Sequence, residues 1–224
     1  GMIRFHSSSG LAHLVLHSTP SVVVQPGKVT AWLMGSGVEA KKYSDLTTWL
    51  RHRWFKLATL QSVPTVLDAG ALHLAGSLEQ PTVITPHSGE LSKLLTSRGV
   101  SVSAEAIEGD PKKWVQEAAD ILGVTVVLKG ATTYVANDSV LIQLPTATPW
   151  LATAGTGDVL AGIIGALVAT NTVEILNDYN HLAAVAATGA FIHARAADAA
   201  TNGGPINAEA VIGAIPRVIS QLIK

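Results

Sequence analysis

Short apolar runs rich in β-branched residues alternate along the chain with longer stretches whose apolar positions recur at helical spacing. The runs at 21–24, 29–34, 65–67, 82–85, 125–128, 133–136 and 140–143 have the length and composition of strands. The remaining pattern predicts helices over 44–58, 89–97, 111–122, 157–169, 174–200 with one break, and 207–222. The last of these opens on Asn207 as a cap and carries Pro216, which predicts a kink. Strand-then-helix alternation of this kind predicts an α/β fold, a mostly parallel sheet with helices on both faces. One segment departs from the alternation. Asn137-Asp138 stands as a turn between two β runs and predicts an antiparallel hairpin.

Composition narrows the class without changing that picture. The chain has 224 residues with no composition shift and no Ser/Pro-rich linker, which predicts one domain over 1–224. Apolar residues make up 48% and charged ones 14%, enough for a filled core with buried helices. The net charge of -1, without a Lys/Arg cluster, argues against a nucleic-acid surface. No cysteine is present, so disulfide and thiolate chemistry are excluded. No run reaches the roughly 20 apolar residues that span a bilayer. The opening "GMIRFHSSSG" lacks a signal-peptide apolar region, so a soluble, cytoplasmic protein is expected, with no membrane partner.

Candidate chemistry sits at predicted strand ends and at one loop. "ATAGTGDVLAGIIGAL" leads from Ala154, Gly155, Thr156 and Gly157 through Asp158 into an apolar helix. Glycines let backbone N–H groups approach an anion, and the helix directs its positive dipole end at the same place. Asp158 there either caps the helix or accepts a hydroxyl proton and so activates a nucleophile toward a phosphoryl group. In "LKGATTYV" an apolar strand ends in Lys129-Gly130-Ala131-Thr132-Thr133, where a lysine meets a phosphate or is solvated at a turn. "VITPHSGEL" runs through Pro86 and His87 into a helix with Glu90 in its first turn and Ser88 as a possible cap. "VLDAGALHL" likewise ends a strand in Asp68.

The order and spacing of "VLDAGAL", "TPHSGEL", "VVLKGATT" and "ATAGTGDVLAGIIGAL" resemble the NAD(P)H-hydrate dehydratase branch of the ribokinase-like superfamily. The resemblance covers nearly the whole chain and implies a three-layer ribokinase-like domain. It also implies an activity: a nucleotide, ADP or ATP, phosphorylates the ring hydroxyl of hydrated NADH or NADPH, and loss of phosphate restores the reduced cofactor. Asp158 would take the hydroxyl proton, with the amides of Ala154, Gly155, Thr156 and Gly157 as anion hole. Lys129, Gly130, Ala131, Thr132, Thr133 and Gly157 would line the nucleotide site. His87, Asp68, Asp158 and, in "MGSGVE", Gly37 would face the substrate. Phosphoryl transfer implies Mg²⁺ without a dedicated protein cage.

The chain also departs from the family pattern. Asp68-Ala69-Gly70-Ala71-Leu72-His73 stands where the family reads Asp-Ala-Asp-Ala-Leu-Asn, Ser88 replaces a common proline, and Glu39 replaces a common glycine. Members carry about one more strand and helix before "GMIRF" than this chain shows, which implies either a truncated sequence or the loss of that half of the site, and with it an open sheet edge and a homo-oligomer. Two rival functions stay open: a hydroxyethylthiazole kinase-like enzyme that releases a stable phosphorylated product, and a remnant that binds nucleotide without turnover. His13 and His17 could share a helix face but lack a third metal ligand, and His6, His52, His181 and His193 show no metal spacing. Trp32, Trp49, Trp54 and Trp114 are expected to pack, while Trp150, beside the loop, could also stack on a base. The run "WLRHRWFK" reads as an amphipathic helix with a solvated face.

Overall fold

A computed structural model of the chain describes residues 1–38 and 46–223. The sheet strands are β1 (Trp32–Met34), β2 (Thr65–Leu67), β3 (Thr82–Ile84), β4 (Thr125–Leu128), β5 (Tyr134–Ala136) and β6 (Leu141–Gln143). They lie side by side in sequence order, with β1 to β4 parallel and β5 and β6 antiparallel. The β5–β6 pair is the predicted hairpin. Its turn is held by Asn137, whose Oδ1 accepts from the N–H groups of Ser139 and Val140 at 3.0 and 2.7 Å.

The helices are α1 (Ser9–Ser18), α2 (Leu46–Ala58), α3 (Ser88–Thr96), α4 (Ala104–Gly109), α5 (Pro111–Leu122), α6 (Thr156–Thr170), α7 (Thr172–Asn177), α8 (His181–Thr201) and α9 (Ala208–Leu222). Strand alternation divides the buried side chains between two faces. Leu67, Ile84, Val126 and Leu128 enter one core with Phe55 of α2 and the apolar faces of α3 to α5. Val66, Val83, Val127 and Val135 enter the other with α6, α7 and α8. The α/β expectation of a sheet covered on both sides is therefore met. A third apolar cluster joins α9 to the outer faces of α6 and α8.

Local signals account for the best-placed elements. Asp110 accepts from Lys113 N–H at 3.3 Å, Pro111 takes the first helical position and Gly123 turns left-handed at φ 62, which delimits α5 as predicted. Asn207 caps α9 as expected, accepting from Ala210 N–H at 2.9 Å, and Pro216 lies inside that helix.

Several predicted elements differ. The run 21–24 is not a sheet strand. Among the described residues only Val23 finds a bridge partner, Arg4, and Pro20 and Pro26 flank the run. Residues 29–31 precede β1 as loop, with Val29 N–H donating to Gln61 Oε1 at 3.3 Å rather than to a strand. The helical stretch 174–200 does break once as expected, into α7 and α8 at 178–180, where Asp178 Oδ1 accepts from Asn180 N–H at 3.0 Å. Helices α1 and α4, together with the 3₁₀ turns Ala69–Leu74 and Pro149–Leu151, were not assigned from sequence. The expected start of α2 at 44–45, and Glu39, lie outside the described residues. Among the described residues no helix is long and apolar enough to cross a membrane.

Candidate active site

The carboxyl ends of β1 to β4 meet the start of α6, and each end contributes a polar group. After β1 the chain turns at Gly35-Ser36-Gly37. Gly35 has φ 111, and a Cβ there would stand 1.8 Å from the Asp68 carbonyl oxygen, so only glycine lets the turn lie this close to the end of β2. After β2, Asp68 is 3% exposed and accepts from Thr85 Oγ1 at 2.7 Å and from Lys129 Nζ at 3.2 Å. After β3, His87 caps α3: its Nδ1 accepts from Gly89 N–H at 3.1 Å, and its own N–H donates to Glu90 Oε2 at 2.9 Å. Ser88 is thus the first residue of the helix rather than its cap, and its hydroxyl donates to Glu108 Oε1 at 2.5 Å. An imidazole nitrogen had already taken the capping position.

Past β4, Lys129 N–H donates to the Pro86 carbonyl at 2.9 Å, which sets His87 and Lys129 side by side. The Lys129 ammonium bridges two carboxylates, Asp68 at 3.2 Å and Glu90 at 3.6 Å. It also reaches α6, lying 3.6 Å from where a Cβ on Gly157 would be. Lys129 is therefore ion-paired rather than free, with its side chain 21% exposed. It ties three strand ends to the helix start.

Gly155 precedes α6 with φ 86 and no side chain caps the helix. The first-turn N–H groups of such a helix have no intrahelical partner, so they present positive charge to an incoming anion. Thr156 is buried, and its hydroxyl faces back to the carbonyls of Leu151 and Thr153 at 2.8 and 2.7 Å. Its side chain braces the loop and leaves the first-turn backbone amides of α6 uncapped. Asp158 is exposed, and its Oδ1 accepts a hydrogen bond from Ser36 Oγ. The capping alternative for Asp158 is thereby set aside, since its oxygen faces the β1 turn instead of the α6 amides.

A cavity of ≈ 560 Å³ opens between α6, α8, the loop after β4 and the segment after β6. It gathers His87, Lys129, Gly130, Ala131, Thr133, Thr156 and Gly157 from the expected site residues. Thr132 turns away to pair with the Thr146 hydroxyl at 2.9 Å, and Ala154, Gly155, Asp68 and Asp158 do not line this cavity. Gly37 lies beyond Ser36 on the Asp158 side, with its carbonyl accepting from Arg51 Nη1 at 3.0 Å. The expected residues thus fall on two sides of the α6 start, with Lys129 between them. Trp150 is 40% exposed on the 3₁₀ turn that borders the cavity.

Sequence reasoning gave no role to two residues. Ser36 carried no signal, because only the fold brings it across to Asp158. His193 could have been flagged as an imidazole in the middle of an otherwise Ala-rich helix. It lines the cavity from α8, is 7% exposed, and its Nε2 has no hydrogen-bond partner. Burial pushes its imidazole down from 6.5 to about 4; the Thr156 backbone carbonyl pulls it upward and the charge of Lys129 adds to the fall. Lys129 and His87 are the titratable groups that share its cavity. A depressed folded-state value means the unfolded chain takes up the proton first as the pH falls. Stability held above about pH 6.5 should decline by about 3 kcal/mol on the way to pH 4. Denaturant unfolding at pH 7 and pH 4.5 should show this decline in the wild-type chain and a visibly smaller one in His193→Leu.

Comparison with known proteins places this geometry. A family model described as NAD(P)H-hydrate dehydratase matches residues 3–217. A bifunctional NAD(P)H-hydrate repair enzyme of Mycobacterium tuberculosis is 36% identical over 185 residues, 76% of this chain and 35% of its own length. An ADP-dependent (S)-NAD(P)H-hydrate dehydratase of Neisseria meningitidis serogroup B is 29% identical over 230 residues, 95% of this chain and 69% of that protein. The chain thus spans only about a third of the first of these relatives. Among solved structures, the ADP/ATP-dependent NAD(P)H-hydrate dehydratase of Bacillus subtilis, co-crystallized with ATP/Mg²⁺ and soaked with CoA, aligns with TM-score 0.79 at 23% identity. That alignment covers 99% of this chain and 81% of that one. A hydroxyethylthiazole kinase from Pyrococcus horikoshii aligns at TM-score 0.64 and 18% identity, over 96% and 87% of the two chains. Both structural likenesses establish the shared fold.

Proposed function

The chain belongs to the NAD(P)H-hydrate dehydratase family, and from that premise we propose that it uses an adenine nucleotide to dehydrate the (S)-hydrates of NADH and NADPH. The observation that carries this reading is the convergence of the α6 N-terminus and Lys129 at one end of a cavity of nucleotide size. The rest of that cavity is lined by apolar groups such as Leu144, Pro149, Leu151 and Leu160, which suit the flat face of a base. The phosphate chain then lies against the amides of Gly157 and its neighbours, with Lys129 neutralising charge beside it.

Hydroxide is a poor leaving group, and phosphorylation of the ring hydroxyl converts it into phosphate, a good one. On this reading Asp158 accepts the proton of the substrate hydroxyl, and the hydroxyl oxygen attacks the terminal phosphorus of ADP or ATP. The bond to the bridging oxygen breaks, releasing AMP or ADP. Cleavage of the carbon–oxygen bond then expels phosphate, loss of a proton from the adjacent carbon restores the double bond, and the reduced cofactor leaves. Ser36 holds Asp158 Oδ1 on the open side of α6, and the substrate hydroxyl takes the place of the Ser36 hydroxyl when it binds. His87 lines the cavity beside Lys129, and Asp68, buried against that lysine, holds its ammonium in place between the two sides.

Among the described residues no three carboxylate or imidazole groups converge into a cation site. The donor set suits a Mg²⁺ that would arrive on the nucleotide phosphates and keep water ligands, with the exposed carboxylate of Asp158 in the first turn of α6 as a candidate to hold it. Such an ion, when bound, neutralises phosphate charge.

The deciding experiment supplies hydrated NADH or NADPH with Mg²⁺ and either ADP or ATP, and follows the absorbance of reduced nicotinamide. Recovery of that band only when nucleotide is present is the expected result, with ADP the favoured donor by analogy with the meningococcal relative's name. A stable phosphorylated product without recovery would replace this reading with a kinase. Binding without either product would leave a nucleotide-binding protein.

A further inference from the structure

We propose that His193 is a contact residue for the phosphate end of the bound nucleotide, its free ring nitrogen taking a hydrogen-bond partner from the ligand. The proposal rests on the nucleotide reading of the cavity given above. In the ligand-free chain Nε2 is buried and unpaired, and the residue is 7% exposed. A buried polar atom in that condition costs stability unless a partner arrives, and most such atoms in folded proteins are paired. The Thr156 backbone carbonyl draws on the ring, yet Nε2 completes no hydrogen bond, and the ring lines the cavity of ≈ 560 Å³ described above.

The position of the ring selects the part of the ligand. His193 extends from α8 toward Thr156, the first residue of α6, and the charge of Lys129 acts on it directly. Both neighbours belong to the anion-facing end of the cavity, whereas Leu144, Pro149 and Leu151 line the remainder. A neutral imidazole here offers an N–H to a phosphate oxygen without adding a second cation beside Lys129. It also needs no proton from solvent to do so, because burial and Lys129 both oppose protonation.

The test measures ADP and adenosine binding by calorimetry to the wild-type chain and to His193→Leu, His193→Asn and His193→Gln. Leucine removes the ring nitrogens, asparagine reaches only the Nδ1 position, and glutamine sets an amide near Nε2. The expected result is an ADP affinity about tenfold or more weaker in the Leu and Asn variants and nearly unchanged in the Gln variant. Adenosine affinity should stay equal in all of them. Without ligand, His193→Leu should melt no lower than wild type, since it removes an unpaired buried polar atom; if it fails to fold, the Asn variant carries the test. Unchanged ADP affinity in the Leu and Asn variants would overturn the proposal while leaving the nucleotide reading standing. Equal losses for ADP and adenosine would overturn the phosphate assignment. A wild-type chain that binds no ADP would remove the nucleotide reading and this inference together.

Discussion

Asp158→Asn should lower turnover of hydrated cofactor by about 10²–10⁴-fold, or roughly 3–5 kcal/mol of barrier, while ADP affinity changes little. The amide keeps the shape of the carboxylate and can still accept from Ser36 Oγ, so the β1 turn and the start of α6 stay where they are. It cannot take up the hydroxyl proton. Stability should hardly move, because Asp158 is not the cap of α6 and its exposed charge contributes at most about 1 kcal/mol to the helix dipole. Single-turnover recovery of the reduced nicotinamide band, paired with ADP calorimetry on the same variant, checks both halves. A variant that keeps full activity would show that the carboxylate is not the base. One that loses ADP binding would place Asp158 in the nucleotide site instead.

Lys129→Ala should cost about 3 kcal/mol of folding stability in addition to weakening nucleotide binding. The lysine is the only cation within ion-pair distance of Asp68 among the described residues, and the two side chains are 21% and 4% exposed. Removing it leaves a buried carboxylate with the Thr85 hydroxyl as its remaining side-chain donor. The loss should be largely recovered in Asp68→Asn/Lys129→Met, where neither charge remains and the methionine stem fills the space. Chemical denaturation of the single and double variants completes the cycle. Nucleotide affinity is then read in the double variant, where a change no longer reports a damaged fold. Stability equal to wild type in Lys129→Ala would mean that Asp68 finds another partner and that the ammonium serves the ligand alone.

Much of the fold was legible because its signals are local. The buried runs 65–67 and 125–128 become β2 and β4 with the same bounds, and Asp110-Pro111 and Gly123 delimit α5 through the dihedral preferences of those few residues. The strand ends carrying Asp68, His87 and Lys129, and the glycine-flanked start of α6, could be read as candidate chemistry for the same reason. Where a feature depends on a partner distant in the chain, the pattern misled. The run 21–24 has strand composition, but among the described residues only Val23 finds an edge to pair with. The helix cap on α3 went to His87 through a hydrogen bond that no capping preference singles out.

The amino-acid sequence by itself determined the kind of molecule: alternating elements, a sheet buried on both faces, a glycine-flanked helix start, and the family. These follow from periodicity, turn chemistry and short motifs, each confined to a few neighbouring residues. The tertiary structure alone decided which side chains meet. Ser36 reaches Asp158 across 122 positions of chain, Lys129 spans 61 positions to Asp68, and His193 is set against the first turn of α6 from a helix that resembles any other Ala-rich segment. Hydrogen bonding, charge pairing and desolvation act through space, so the roles of these residues come into being only when packing brings the strand ends and α8 around the start of α6.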